Sequence, residues 1–167
     1  MQDADLFLEL AAIAGVFVGF GALIAVRSAG AGDAFEVGFV RGVVSLGLLT
    51  ILIALAPVTL ARYPISDHQI WVLSSVVLLV GFAGTLTALF RIEGSVELEL
   101  PRRVMAVSAS AWVLWIIAST VVPIIIILGL APELEAALYF TVVVLLLLWD
   151  AWVLLQLVFR KRRPATA

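Results

Sequence analysis

The sequence predicts an all-α fold: a polytopic bundle of five transmembrane helices, N-terminus outside and C-terminus inside. Three observations predict it. The 167 residues are 64% hydrophobic and only 13% charged, with a mean hydropathy of +1.22; a globular domain is nearer half apolar and a quarter charged. Five apolar stretches each reach the ~20 residues that a helix needs to cross hydrocarbon. The basic residues collect in alternate breaks between those stretches.

The spans are expected at about residues 6–26, 37–60, 70–90, 104–130 and 136–159. Each reads as a helix, because an isolated strand cannot satisfy its backbone in lipid. The first follows an acidic start, Met1 to Asp5, where a secretory signal would be basic, so it is expected to be retained. A glycine-rich polar break, Arg27 to Glu36, leads to the second span. The third follows a break containing Pro64. The fourth follows the longest loop, Arg91 to Arg103, in which Pro101 suits a first helical turn. In that loop Val96 to Leu100 alternates apolar and acidic residues and reads as a short extended segment. A short turn, Gly129 to Glu135, makes the last two spans a tight hairpin. Spans use nearly all of the chain, so residues 1–167 read as a single transmembrane domain with a basic tail at 160–167.

Helices associate in lipid through close contact between small residues. Gly15 and Gly19 in the first span, Gly38 and Gly42 in the second, and Gly81 and Gly84 in the third mark such surfaces, as do Ala106 to Ala111 in the fourth. They serve packing within one chain or contact between subunits. The fifth span has no small residue between Val142 and Leu148, and that stretch is expected to face lipid. Pro123 removes a hydrogen bond from the fourth span and should bend it, as a fixed kink or as a hinge. Ser119 or Thr120 is expected to bond the freed carbonyl.

Ionisable residues inside a membrane are costly and point to function. Asp150 lies nine residues before Phe159, about 14 Å deep at 1.5 Å per residue. It must pair with a cation or donor, or hold its proton. Arg41 enters the second span from the same side, and Ser45 lies one turn deeper on the Arg41 face. The two readings are a polar layer of Asp150, Arg41 and Ser45 that moves protons or cations, and a set of helix anchors in which Arg41 merely reaches the interface. Glu9 lies one turn into the first span and reaches water. Trp112, Trp115, Trp149 and Trp152 occupy the depth of Asp150, away from the interface that tryptophan prefers, whereas Trp71 lies at an interface. They form an aromatic layer: bulky packing, a constriction, or a pocket for an apolar ligand. Their indole N–H groups need acceptors, and Asp150 could serve.

Several classes are excluded or disfavoured. The chain has no cysteine and one histidine, His68, so thiolate metal sites, disulfides and bis-histidine haem ligation within one chain are ruled out. No nucleotide loop, HExxH motif or GxSxG elbow occurs. No enzyme activity, metal, cofactor or nucleic-acid partner is expected. What remains is an ion or proton channel or permease, expected as a homo-oligomer because five helices seldom enclose a path and do not divide into two equal repeats. The alternative is a non-catalytic subunit or scaffold of a larger membrane complex. The tail residues Arg160, Lys161, Arg162 and Arg163 are expected to hold anionic lipid at the cytoplasmic face. The setting expected is a prokaryotic plasma membrane.

Lys and Arg stay on the cytoplasmic side. With the C-terminus inside, Arg27, Arg41, Arg91, Arg102, Arg103 and the tail lie inside, and Arg62 alone among the basic residues lies outside. The acidic N-terminus, His68, Glu133 and Glu135 also fall outside. A reporter fused at each end should therefore read an external N-terminus and a cytoplasmic C-terminus; a cytoplasmic N-terminus overturns this orientation.

Overall fold

The structure is a computed structural model that describes residues 4–28, 34–93 and 102–159, and the surroundings of side chains 4–24, 26, 40–88 and 112–155. Within these residues the fold is all-helical. It comprises α1 (Ala4–Ser28), α2 (Ala34–Leu60), α3 (Asp67–Glu93), α4 (Arg102–Ile127) and α5 (Glu135–Phe159), with one 3-10 turn, Pro132–Leu134, before α5. The stretches Ala4–Ile24, Val40–Leu60, Asp67–Ala88 and Pro132–Leu155 are long and apolar enough to cross a bilayer; in α4 the described apolar stretch is Trp112–Ile127. This composition and length fit a membrane-embedded protein.

Local chemistry sets the helix ends. Ser66 and Gln69 form a reciprocal cap: Ser66 N–H donates to Gln69 Oε1 at 3.1 Å, and Gln69 N–H donates to Ser66 Oγ at 3.3 Å. This S-x-x-Q box starts α3 at Asp67, three residues before the expected start of the third span. At the end of α4, Gly129 adopts a positive φ of 63°. Gly129 N–H donates to the Ile126 carbonyl at 3.0 Å and Leu130 N–H to the Ile125 carbonyl at 3.2 Å. That pair of bonds is a Schellman motif, and only glycine adopts its left-handed position without strain. It stops α4 at Ile127, three residues before the expected end.

The expected lipid-facing stretch of α5 lies inside the protein. Val142, Val143, Leu146 and Leu147 are buried, and only Leu148, 59% exposed, turns outward over the end of that run. α5 is the central helix and touches α1, α2, α3 and α4. Large side chains interdigitate as closely as small residues abut, and each buried one gains dispersion contacts from all sides. The absence of glycine therefore marks a central ridge here, not a lipid face.

Phe7, Trp71 and Tyr139 come from the beginnings of α1, α3 and α5 and meet at one end of the bundle. Phe7 and Trp71 rings lie 6.1 Å apart, and Trp71 and Tyr139 rings 5.7 Å. Phe140 meets the edge of Phe7 at 5.7 Å. These three helices thus start together, and α2 and α4 run the other way. Trp71 is buried in this cluster. At the same end His68 Nδ1 lies 2.7 Å from Glu135 Oε1, joining the first turns of α3 and α5.

α2 carries an internal proline that the sequence reading passed over, Pro57. It has no N–H for the carbonyl four residues back, which belongs to Ile53. Tyr139 O–H donates to that carbonyl at 2.9 Å, with the Ser74 carbonyl 3.4 Å away. Tyr139 is fully buried, so its hydroxyl closes the gap from a different helix. The second proline, Pro123, lies inside α4 as expected. Here Thr120 donates instead to the Ile116 carbonyl of its own helix at 2.8 Å, and the buried Ser119 hydroxyl has no partner. Thr50, Thr87 and Thr141 likewise bond carbonyls four residues back.

Tyr139→Phe should destabilise the bundle by about 1–3 kcal/mol, since it leaves the Ile53 carbonyl buried without a donor. Reversible unfolding in mixed micelles measures this; an unchanged midpoint would mean that the bond does not hold α2 to α5.

Candidate functional site

Asp150 occupies the seam where α5 meets α1 and α2. It is 0% exposed. The seam exists because Gly47 of α2 has no side chain. A methyl group there would lie 2.5 Å from Val18 Cγ2 of α1, 3.1 Å from Asp150 Oδ2 and 3.4 Å from the Ala14 carbonyl. Gly21 lets the same two helices approach further along: a methyl there would lie 3.2 Å from Val43 Cγ1 and from Val44 Cγ2. Among the described residues neither carboxyl oxygen of Asp150 has a hydrogen-bond partner. An ionised carboxylate at this seam would lack the donors that offset its desolvation.

Arg41 and Ser45 are exposed and not at the seam. Ser45 is two residues from Gly47, which turns it about 200° around the helix; Arg41 is six residues away, about 120° around and 9 Å along. The sequence placed these three residues at adjoining depths, but helix rotation sends Arg41 and Ser45 to the α3 side of α2. There Ser45, Leu48, Leu49 and Leu52 line an open groove with Gly81, Gly84, Thr85 and Ala88 of α3.

The tryptophans form a cluster on another face of α5. Trp115 and Trp149 stack with centroids 5.4 Å apart and planes 20° from parallel. Trp112 meets both edge-on at 5.3 and 5.4 Å, and Phe82 meets Trp115 edge-on at 4.8 Å. Trp152 is turned outward, 42% exposed. Successive residues of a helix point about 100° apart, so Trp149 looks toward α4 while Asp150 looks toward α1 and α2. The expected indole-to-carboxyl bonds do not form: the Nε1 atoms of Trp115 and Trp149 are buried and without acceptors among the described residues. This arrangement packs three helices and leaves two donors unused.

The glycines divide by role. Gly42 is buried in α2. Gly81 closes on α2, where an added methyl would lie 2.6 Å from Leu49 Cδ1. An added methyl at Gly15, Gly19 or Gly84 meets nothing within 4 Å, so these three leave open surface. The side of α1 that bears Gly15 and Gly19 also exposes Ala12 and Ala22. Gly38, the side chains Ala106 to Ala111, and Arg160, Lys161, Arg162 and Arg163 lie outside the described surroundings. Gly47, Gly21, Pro57 and Tyr139 were missed by the sequence reading. A glycine within a long apolar helix is the signal for Gly47 and Gly21; a proline four residues after a carbonyl needing a donor is the signal for Tyr139.

Among the described residues no three His, Asp or Glu side chains gather as metal ligands. Comparison with protein-family models, with curated proteins and with solved structures finds no match to this chain.

Gly47→Ala should cost about 1–3 kcal/mol, because Val18 is stiff at χ1 and the seam cannot open freely. Gly19→Ala should be neutral or slightly stabilising, since alanine is the better helix former and space is free. Thermal unfolding of the two variants in one detergent checks both; equal effects would mean that the seam at Gly47 is not tight.

Proposed function

We propose that this protein is a small five-span membrane protein, oriented N-out and C-in in a prokaryotic plasma membrane, that moves protons or small cations with Asp150 as the exchanging carboxyl. The observation that carries this reading is the fully buried Asp150 with both oxygens unpartnered. A carboxyl kept only to anchor helices would make hydrogen bonds that return part of its desolvation cost. Asp150 makes none, so its retention inside the bundle is better matched to binding and releasing a small cation.

The working unit is a homo-oligomer and is not catalytic. The described bundle closes over Asp150, and five helices do not divide into two equal repeats. The open face of α1 around Gly15 and Gly19 suits close contact with another helix. Symmetric association there would set several Asp150 seams around one axis. The same open face of α1 equally suits a helix of another protein, which favours a second reading, a non-catalytic subunit or scaffold within a larger membrane complex.

Proteoliposomes with an imposed proton or potassium gradient decide between them. Transport predicts a symmetric oligomer whose flux is abolished or strongly changed by Asp150→Asn. Equal, negligible flux from both proteins, or purification with other subunits, selects the scaffold reading.

A further inference from the structure

The groove between α2 and α3 has the geometry and charge of a lipid site. It holds about 430 Å³ of open space on the outside of the bundle. The α3 wall is built from Gly81, Gly84 and Ala88 at helical spacing, and the α2 wall from Ser45, Leu48 and Leu52. Leu48 and Leu52 are more than half exposed. α2 and α3 run in opposite directions, so Ala88 and Ser45 stand at the same end. An added methyl at Gly84 would meet nothing within 4 Å, so the trough is open to lipid along this part of α3. In lipid, apolar walls of this shape gain dispersion contacts on both sides from an apolar, slender occupant.

Arg41 identifies the other half of the occupant. It lies one turn before Ser45 on the same face and is exposed. It stands about two turns into α2, toward the end of the bundle at which that helix begins. Its side chain leans toward the start of α2, and so toward the headgroup layer. An apolar trough with a guanidinium at its mouth matches a chain joined to an anion. Arginine holds phosphate through paired N–H donors.

We propose that the α2–α3 groove binds an anionic phospholipid, with one acyl chain along Leu48, Leu52, Gly81 and Gly84 and the phosphate at Arg41. A helix from a second copy would have to bring its own acid to Arg41, whereas a phospholipid carries its anion at the right end of its chain. The site is separate from the Asp150 seam and stands whether or not the protein transports ions. It is also separate from the basic tail, whose contribution is the same in every variant below.

The test is lipid retention in native mass spectrometry after extraction from mixed phosphatidylglycerol–phosphatidylcholine vesicles. The wild-type protein should keep phosphatidylglycerol in preference to phosphatidylcholine. Arg41→Gln should lower phosphatidylglycerol retention about fivefold, the effect of one cation near an anionic surface, and leave phosphatidylcholine unchanged. Gly84→Leu fills the trough and should lower retention of both lipids. Arg41 is exposed, so Arg41→Gln decides the headgroup assignment even if Gly84→Leu folds poorly. Unchanged phosphatidylglycerol retention in Arg41→Gln overturns the proposal. So does a disulfide-linked dimer of Gly84→Cys in vesicles, since the chain has no other cysteine and the cross-link would put a second copy in the groove.

Discussion

Inside lipid a backbone carbonyl that loses its helical donor has no water to turn to, and the bond from Tyr139 to Ile53 answers that constraint. Pro57 leaves the Ile53 carbonyl without its helical donor; Tyr139 supplies one from α5. A single hydroxyl thereby ties the proline site of one helix to the centre of the bundle. The aromatic cluster of Phe7, Trp71 and Tyr139 surrounds it and holds the starts of three parallel helices together. Most of the remaining hydroxyl bonds are shorter in reach: Thr50, Thr87, Thr120 and Thr141 each return to their own helix.

Against this background the unpartnered groups stand out. Asp150, the indoles of Trp115 and Trp149, and the hydroxyls of Ser74, Ser75 and Ser119 are buried without partners among the described residues. The serines are small and neutral, so each costs little next to a carboxyl. Asp150 is the costly one, and it sits where α1, α2 and α5 meet, across from Gly47. Close packing and an unsatisfied acid at one point describe a place where a small movement of one helix would change what the acid can reach. The α2–α3 groove on the opposite side of α2 is the reverse: roomy, apolar and open to lipid.

Much of the fold was legible in the sequence because lipid imposes it directly. Span positions follow from apolar length to within a few residues, whereas the bonds at Ser66 to Gln69 and at Gly129 set the helix ends that the sequence reading placed three residues away. The candidate site was half legible. Asp150 announced itself by its charge in an apolar run. Its neighbours did not, because depth along a helix is a property of residue number and rotation about the axis is not. Ser45 lies close to Asp150 in depth and Arg41 one turn nearer the interface, and yet both face the α3 side of α2. Gly47, which does face it, carries no chemistry to notice. The run Val142 to Leu148 shows the same limit: its side chains are equally at home in lipid and in a core, so composition could not say which.

The sequence alone therefore determined a helical chain built for a membrane, with one acid buried in its last helix. Hydropathy and charge are properties of single residues and survive without knowledge of neighbours. Only the tertiary structure decided which helix is central, which glycines close a seam and which leave a face open, and that Asp150 looks toward Gly47. Those choices depend on how five similar apolar cylinders rotate against one another. In lipid, where every face is apolar, that rotation is set by shape complementarity and a few polar bonds such as Tyr139 to Ile53.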